Sequence, residues 1–485
     1  MWSFVQTYWP HFLAILSVVV AAVAAAHAAM TKDEVRSAIG WVGVIVLSPI
    51  VGALIYAIAG INRIRRGSIA AERSAAGHEM REHPNFDTTD DLVGARFGER
   101  FVALKTVGDR ITHHKLTTSN TIDVLKTGDE AYAAMLAAIA GARRSILLET
   151  YIFDRDPIGV RIADALIQAC KRGVSVRVLI DAVGARYSVP SIVGYLREGG
   201  VSTDVFNGAI IMGLRLPYAN LRTHRKILVV DGTAAFMGGM NIRQGFTAEF
   251  AGAGSAHDTH FHLRGPVVGD IFSTAAEDWY FASRERLQGD AWTIEAADGE
   301  PDSPIFARVL PSGPDASLEA NHKMLMGAFS VAHRSIRIMS PYFLPDRELI
   351  SALTTAARRG VEIDIVVPSA NNLVLVDRAM TAQFDQVLRS YCRVWRAKGA
   401  FDHSKLLSVD STWAFVGSSN LDPRSLRLNF EIDLEVLDRA FASRIDAHIG
   451  SVIDKATQVT LADLRARPFP IRLVNRILWL GSPYL

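Results

Sequence analysis

The stretch His224-Arg225-Lys226, running through Asp231 to Asn241, returns as His403-Ser404-Lys405, running through Asp410 to Asn420. In both copies Lys follows His by two residues, Asp by seven and Asn by seventeen. Side chains two apart on a strand share a face, so His224 projects with Lys226 and His403 with Lys405. Ile227-Leu228-Val229-Val230 is rich in β-branched residues and reads as a buried strand. Asp231-Gly232 reads as a two-residue hairpin turn, after which Ala234–Met237 returns as a second strand. Gly238-Gly239 ends it with backbone amides free to approach a ligand. Asn241 then arrives back near the His–Lys face. An imidazole, an ammonium and a carboxamide on a Gly-rich turn suit a tetrahedral anion.

The repeat is wider than the motif. Arg144–Phe153 pairs with Arg334–Phe343, and an amphipathic helical stretch follows each. The helices end at Lys171-Arg172-Gly173 and Arg358-Arg359-Gly360, basic residues before Gly. Apolar strands follow at Val174–Ile180 and Val361–Val367, and Asp129–Ala140 and Glu319–Ala332 read as leading helices. Each half is thus helix, strand, helix, strand, then the His–Lys hairpin, an alternation that implies a sheet covered by helices. Gly, Pro, Asp and Ser cluster at Asp298–Pro314 and mark the boundary. A chain of 485 residues has ample length for a large core.

Ahead of the halves, Phe12–Met30 and Ile39–Ile61 are uncharged, apolar and long enough to cross a bilayer. Pro49 is tolerable in a membrane helix. Ala26-His27-Ala28 resembles a signal cleavage site, but no Lys or Arg precedes it, which favours a retained span. Lys32 and Arg36 lie in the short loop, while Arg63, Arg65, Arg66 and Arg73 follow the second span. That excess predicts a multi-pass protein of the inner membrane with residues from Arg63 onward on the cytoplasmic side. The same cluster suits anionic headgroups. The predicted organisation is a transmembrane hairpin over 1–62, a basic connector over 63–121, halves over 122–300 and 301–467, and an amphipathic tail over 468–485. A net charge of +2 argues against a dedicated nucleic-acid binder. Cys170 and Cys392 each sit in an apolar-periodic segment and read as buried thiols.

The paired pattern, with its downstream G-[GS]-x-N, resembles the HxKx4D motif of the phospholipase D superfamily. With the two spans, the basic flank, Ser340–Asp346 and Gly417–Glu431, the whole chain resembles bacterial cardiolipin synthases of that type. The resemblance implies two α/β halves about a pseudo-two-fold axis, with both motifs meeting in one cleft. It implies transfer of a phosphatidyl group from one phosphatidylglycerol to another, at a membrane of anionic lipids, through a phosphohistidine. Catalytic residues carried over are His224, Lys226, Asp231, His403, Lys405 and Asp410. His224 is then the nucleophile and His403 the acid. Lys226, Lys405, Asn241 and Asn420 hold the phosphate oxygens in place of a metal, so neither metal nor cofactor is required. Asp258 and Glu431 orient the imidazoles, though which serves which is not readable. Asp231 and Asp410 sit at turns, where a structural role competes with a catalytic one.

The acceptor alcohol is not specified by residues, so hydrolysis or a different acceptor stays open, as does a homo-oligomer. His257, His260 and His262 lack an acidic partner at metal-binding spacing. Arg222 and Arg424 are candidates for a second phosphate or a headgroup. Gly208–Tyr218 is apolar and Gly-broken, either a lid or a buried connection. The tail from Pro468 suits membrane docking and packing on the globular part equally.

Overall fold

The computed structural model describes residues 2–32, 34–61, 66–74, 86–207, 221–294 and 303–482. They fall into two compact units, residues 1–65 and 66–485.

The first unit holds α1 (Trp2–Thr31), α2 (Val35–Leu47) and α3 (Pro49–Ile55), the last continued by a π-turn over Tyr56–Gly60. Over Tyr8–Thr31, α1 is long and apolar enough to cross a membrane. The second apolar stretch, expected as one span, is divided instead. Its two pieces, Val35–Leu47 and Pro49–Gly60, are each shorter than a span. Ser48 leaves helical geometry at φ −143°, and Pro49 has no N–H with which to continue the ladder. Ala28, Ile45 and Tyr56 pack together, and the Tyr56 hydroxyl lies 2.7 Å from His27 Nδ1.

The second unit opens with α4 (Arg66–Ser74), α5 (Asp90–Phe97) and α6 (Glu99–Ile111). Residues 86–121 of the stretch read as a connector therefore belong to the globular unit. Val93, Phe97, Phe101 and Leu104 recur at helical spacing and enter the core of the second half. Then come β1 (Thr117–Leu125), α7 (Gly128–Gly141), β2 (Ser145–Thr150), α8 (Pro157–Lys171), β3 (Ser175–Asp181), α9 (Ile192–Glu198) and β4 (Ser202–Phe206). The motif region supplies β5 (Arg222–Thr223), β6 (Ile227–Val230), β7 (Ala234–Gly238), α10 (Ala248–Ala251) and β8 (His260–Arg264), and α11 (Val267–Ser283) closes the half.

The second half repeats this with β9 (Ile305–Ser312), α12 (Ala320–Val331), β10 (Ser335–Met339), α13 (Arg347–Arg358), β11 (Glu362–Pro368), α14 (Val374–Leu388) and β12 (Arg393–Ala397). Its motif gives β13 (Leu406–Val409), β14 (Trp413–Gly417), α15 (Pro423–Arg427) and β15 (Asn429–Leu437), followed by α16 (Arg439–Ile453). The chain ends with β16 (Thr457–Val459), α17 (Leu461–Ala466) and α18 (Phe469–Leu480).

Strands β1 and β9 pair antiparallel. Outward from that seam one side runs β1-β8-β7-β6-β2-β3-β4 and the other β9-β15-β14-β13-β10-β11-β12. The seven positions correspond one for one, so the duplicated α/β architecture is real. The α9–β4 and α14–β12 steps of each half were not foreseen, because β4 and β12 are short and carry polar residues. Their outward neighbours are few: β4 is an edge, and only β16 covers β12.

Candidate active site

Each motif strand enters the site from a loop and leaves it toward a turn. In β6 all four residues are buried, and in β13 likewise. That burial fixes the register and so fixes which way the residues just before each strand point. The turn holds three residues rather than the two expected: Val230 pairs with Ala234 and Val409 with Trp413. Asp231 and Gly232 are both left-handed, at φ 52° and 66°, as is Asp410 at 54°.

The motif aspartates face away from the imidazoles, at the other end of these strands. Asp231 accepts hydrogen bonds from the backbone amides of Arg143, Arg144 and Ser145 at 2.7–3.0 Å. Asp410 accepts the matching three from His333, Arg334 and Ser335 at 2.7–2.9 Å, and pairs with Arg100. Both carboxylates thus tie the hairpin to the start of the next strand over, β2 or β10.

At the other end the two halves exchange partners. The His224 backbone N–H donates to the Phe430 carbonyl at 2.8 Å, and β5 pairs in parallel with β15. The His403 N–H donates to the His257 carbonyl at 2.8 Å. The side chains follow. His224 Nδ1 lies 2.9 Å from Glu431 Oε2, and His403 Nδ1 lies 2.8 Å from Asp258 Oδ2. Each imidazole is therefore oriented by a carboxylate from the other half.

The two carboxylates are not equivalent. Glu431 also accepts from Ser418 Oγ at 2.6 Å and Asn429 Nδ2 at 3.2 Å, whereas Asp258 Oδ1 is buried without a hydrogen-bond partner among the described residues. Gly239, expected to offer its amide to a ligand, makes room for Asp258. A Cβ there would lie 2.6 Å from Asp258 Oδ1.

Both imidazoles, Asn241 and Asn420 line one cavity of about 420 Å³, with Tyr151 and Tyr342 beside them. The Tyr151 ring centroid is 5.1 Å from that of His224, and Tyr342 is 6.2 Å from His403. Asn241 Oδ1 accepts from the Ile152 amide at 3.2 Å, and Asn420 Nδ2 meets Ser425 Oγ at 3.4 Å. Lys226 donates to the His224 carbonyl at 2.5 Å, and Lys405 makes the same bond to His403. These two tyrosines, one in Glu-Thr-Tyr and the other in Ser-Pro-Tyr, were visible within the repeat but not recognised as site residues.

Burial sets the electrostatics. It lowers Lys226 to about 7 against the pull of Glu431, with Lys405 pushing the same way. Burial lowers Lys405 to about 8. His403 is brought down to about 4 by burial and by Lys405, and His224 is lowered by burial against the pull of Glu431. Burial alone would raise Glu431, but His224 and Lys226 overcome it and hold the carboxyl at about 2. The site is thus poised to gain positive charge when an anion binds.

Behind Glu431 lies a network that sequence reading missed. Arg225, between His224 and Lys226 but on the opposite strand face, is buried and donates to the Glu431 carbonyl at 2.9 Å. Its guanidinium pairs with Asp278. Arg73, read only as membrane-flank charge, pairs with the same Asp278 and lies 2.8 Å from Asp315. It also stacks 4.6 Å over Phe430. Nothing local marks Arg73 as buried, since its partners lie some two hundred residues away.

Among the other sequence candidates, His262 meets Asp123 at 3.2 Å and stacks on Phe236. His260 is buried and lowered to about 4, chiefly by burial. Arg222 and Arg424 both line the cavity. The loop Gly208–Tyr218 lies outside the described residues.

A family model described as "Cardiolipin synthase, PLD-like domain" matches residues 135–249 and 325–453, and one described as "Phospholipase_D-nuclease N-terminal" matches 15–60. Cardiolipin synthase A of Pseudomonas putida is 32% identical over 96% of this chain and 96% of its own length. The cardiolipin synthase of Alkalihalophilus pseudofirmus is 30% identical over 92% of this chain and 88% of its own. Among solved structures, Haemophilus influenzae phosphatidylserine synthase superposes with a TM-score of 0.59 at 15% identity, covering 79% of this chain and all of that one. That last likeness concerns the fold. Two repeated motifs whose imidazoles line one cavity, a duplicated sheet and these relatives lead to one conclusion: the chain belongs to the cardiolipin synthase family of phospholipase D-like enzymes.

Proposed function

We propose that the protein transfers a phosphatidyl group from one phosphatidylglycerol to another, yielding cardiolipin and glycerol. The observation that carries this is the crossed pair of oriented imidazoles, His224 with Glu431 and His403 with Asp258, opening on one cavity. In the first step His224 Nε2 forms a bond to phosphorus as the bond to the glycerol oxygen breaks. Protonated His403 gives its proton to that oxygen. In the second step neutral His403 takes the proton from a hydroxyl of the second lipid. The oxygen of that hydroxyl bonds to phosphorus, the phosphorus–nitrogen bond breaks, and His224 is restored.

Nδ1–H donation to Glu431 steadies the positive charge that His224 gains on phosphorylation. Burial and Lys405 hold His403 neutral, and the phosphodiester anion raises its pKa on binding, so the acid is charged by its own substrate. Lys226, Lys405, Asn241 and Asn420 hold the non-bridging oxygens in the transition state. Asp231 and Asp410 anchor the hairpins and take no part in proton transfer.

The catalytic unit lies on the cytoplasmic side, because basic residues concentrate after the second apolar stretch. The test is product identification by mass spectrometry on purified protein given phosphatidylglycerol in detergent with chelator present. Cardiolipin with equimolar glycerol is expected. Phosphatidic acid as sole product would make the protein a hydrolase of the same chemistry.

A further inference from the structure

The end of the chain carries an apolar face that the fold does not cover. Helix α18 rests on α14, held by Arg476 to Asp385 at 2.7 Å, with Leu478 and Trp479 packed inward. Its other face leaves Phe469 66%, Ile477 57% and Leu480 71% exposed. The exposed strip continues onto Leu373, Val374 and Leu375 at the start of α14.

This strip borders the catalytic cavity on two sides. Leu373 and Val376 line the cavity beside His224 and His403, and so does Ser482, two residues beyond α18. Beneath it, α14, α17 and α18 enclose a second cavity of about 430 Å³. Arg389, Arg465, Arg467, Arg472 and Arg476 line that cavity, against the single carboxylate of Asp385. Asp385 is shared by Arg389 and Arg476. Among the described residues Arg465 and Arg472 form no ion pair, and Arg467 has only the nearby Asp463, whose carboxyl it helps to lower.

We propose that α18 and the first turn of α14 form the surface that lies on an anionic bilayer, with the arginine-lined cavity taking a lipid phosphate. An apolar stripe flanked by arginines matches the acyl boundary below and the phosphates around it. Guanidinium groups suit phosphate because their donors match its oxygens in pairs. Seated this way, the mouth of the catalytic cavity opens at the headgroup layer, and a lipid reaches His224 and His403 without leaving the membrane. The proposal does not depend on which alcohol accepts the phosphatidyl group.

The test uses the full chain in nanodiscs with and without phosphatidylglycerol, carrying a nitroxide at Ile477→Cys in a Cys170→Ala background. A second nitroxide at the exposed Ser451→Cys is the reference. The label at 477 should collide with dissolved oxygen more than with a water-soluble nickel chelate, and the label at 451 the reverse. Equal water access at both sites would overturn the proposal. So would spin–spin broadening at 477 that grows with protein density, which would mean a second copy covers the face. Arg467→Gln with Arg472→Gln should lower the ratio of turnover in bilayers to turnover in mixed micelles on the order of tenfold. An unchanged ratio would remove the arginine cavity from the account. Absence of cardiolipin from the wild type would bear on the proposed reaction, not on the label's surroundings.

Discussion

Glu431→Gln removes one charge from the site and almost nothing of its shape. The carboxyl is held at about 2 where its ordinary value is 4.5, despite burial that pushes it up. At about 1.4 kcal/mol per pKa unit, the site prefers the carboxylate by about 3 kcal/mol. The sources of that preference are His224 first and Lys226 after it. Phosphorylated His224 carries the same positive charge, so its formation loses up to about 3 kcal/mol of support, at most about a hundredfold in rate. The assay is a rapid-quench measurement of phosphatidyl label on the protein. Because partners cross between halves, Glu431→Gln should slow only the appearance of label, whereas Asp258→Asn should slow both its appearance and its loss, since His403 gives the proton in one step and takes it in the other. A change under about threefold, or the two variants with their effects exchanged, would refute the reasoning.

Three further outcomes follow from the same geometry. Lys226 and Lys405 are lowered to about 7 and 8, mainly by burial, and a bound phosphate favours their charged forms. Inorganic phosphate or vanadate should therefore bind with proton uptake and bind more weakly as pH rises past about 8; calorimetry in buffers of different ionisation enthalpy reads this, and binding without proton uptake would contradict it. Asp410→Ala strands three backbone amides and Arg100, and should cost about 3 kcal/mol in chemical denaturation while the folded fraction still forms the phosphoenzyme. Arg73→Met leaves Asp278 and Asp315 with one cation fewer; a loss of about 3–5 kcal/mol is expected, partly restored in Arg73→Lys, and an unchanged unfolding midpoint would show the network to be incidental.

Much of the site was legible because the chain states it twice. The spacing from His224 to Asn241 repeats from His403 to Asn420, and strand periodicity alone puts each His with its Lys. Helix ends were readable too: Gly173 and Gly360 are left-handed at φ 90° and 93°, as basic residues before Gly imply. The pairing of Glu431 with His224 was not readable, since it depends on β15 reaching across to β5, a contact between halves with no local signal. Helices α5 and α6 hid for a related reason. Their apolar residues are diluted by charge and make sense only against the core they complete. The division at Ser48 was underweighted because Pro49 is tolerated in many membrane helices.

The account rests on His224 and His403 acting in turn on one phosphate. The direct test is to incubate His403→Ala with a phosphatidyl nitrophenyl ester labelled at phosphorus, whose leaving group needs no proton from His403, quench in alkali and map the label by peptide mass spectrometry. One phosphatidyl group per chain, acid-labile and on His224, is predicted, with none in His224→Ala. Label on any other residue, or turnover in His224→Ala comparable to the wild type, would contradict it.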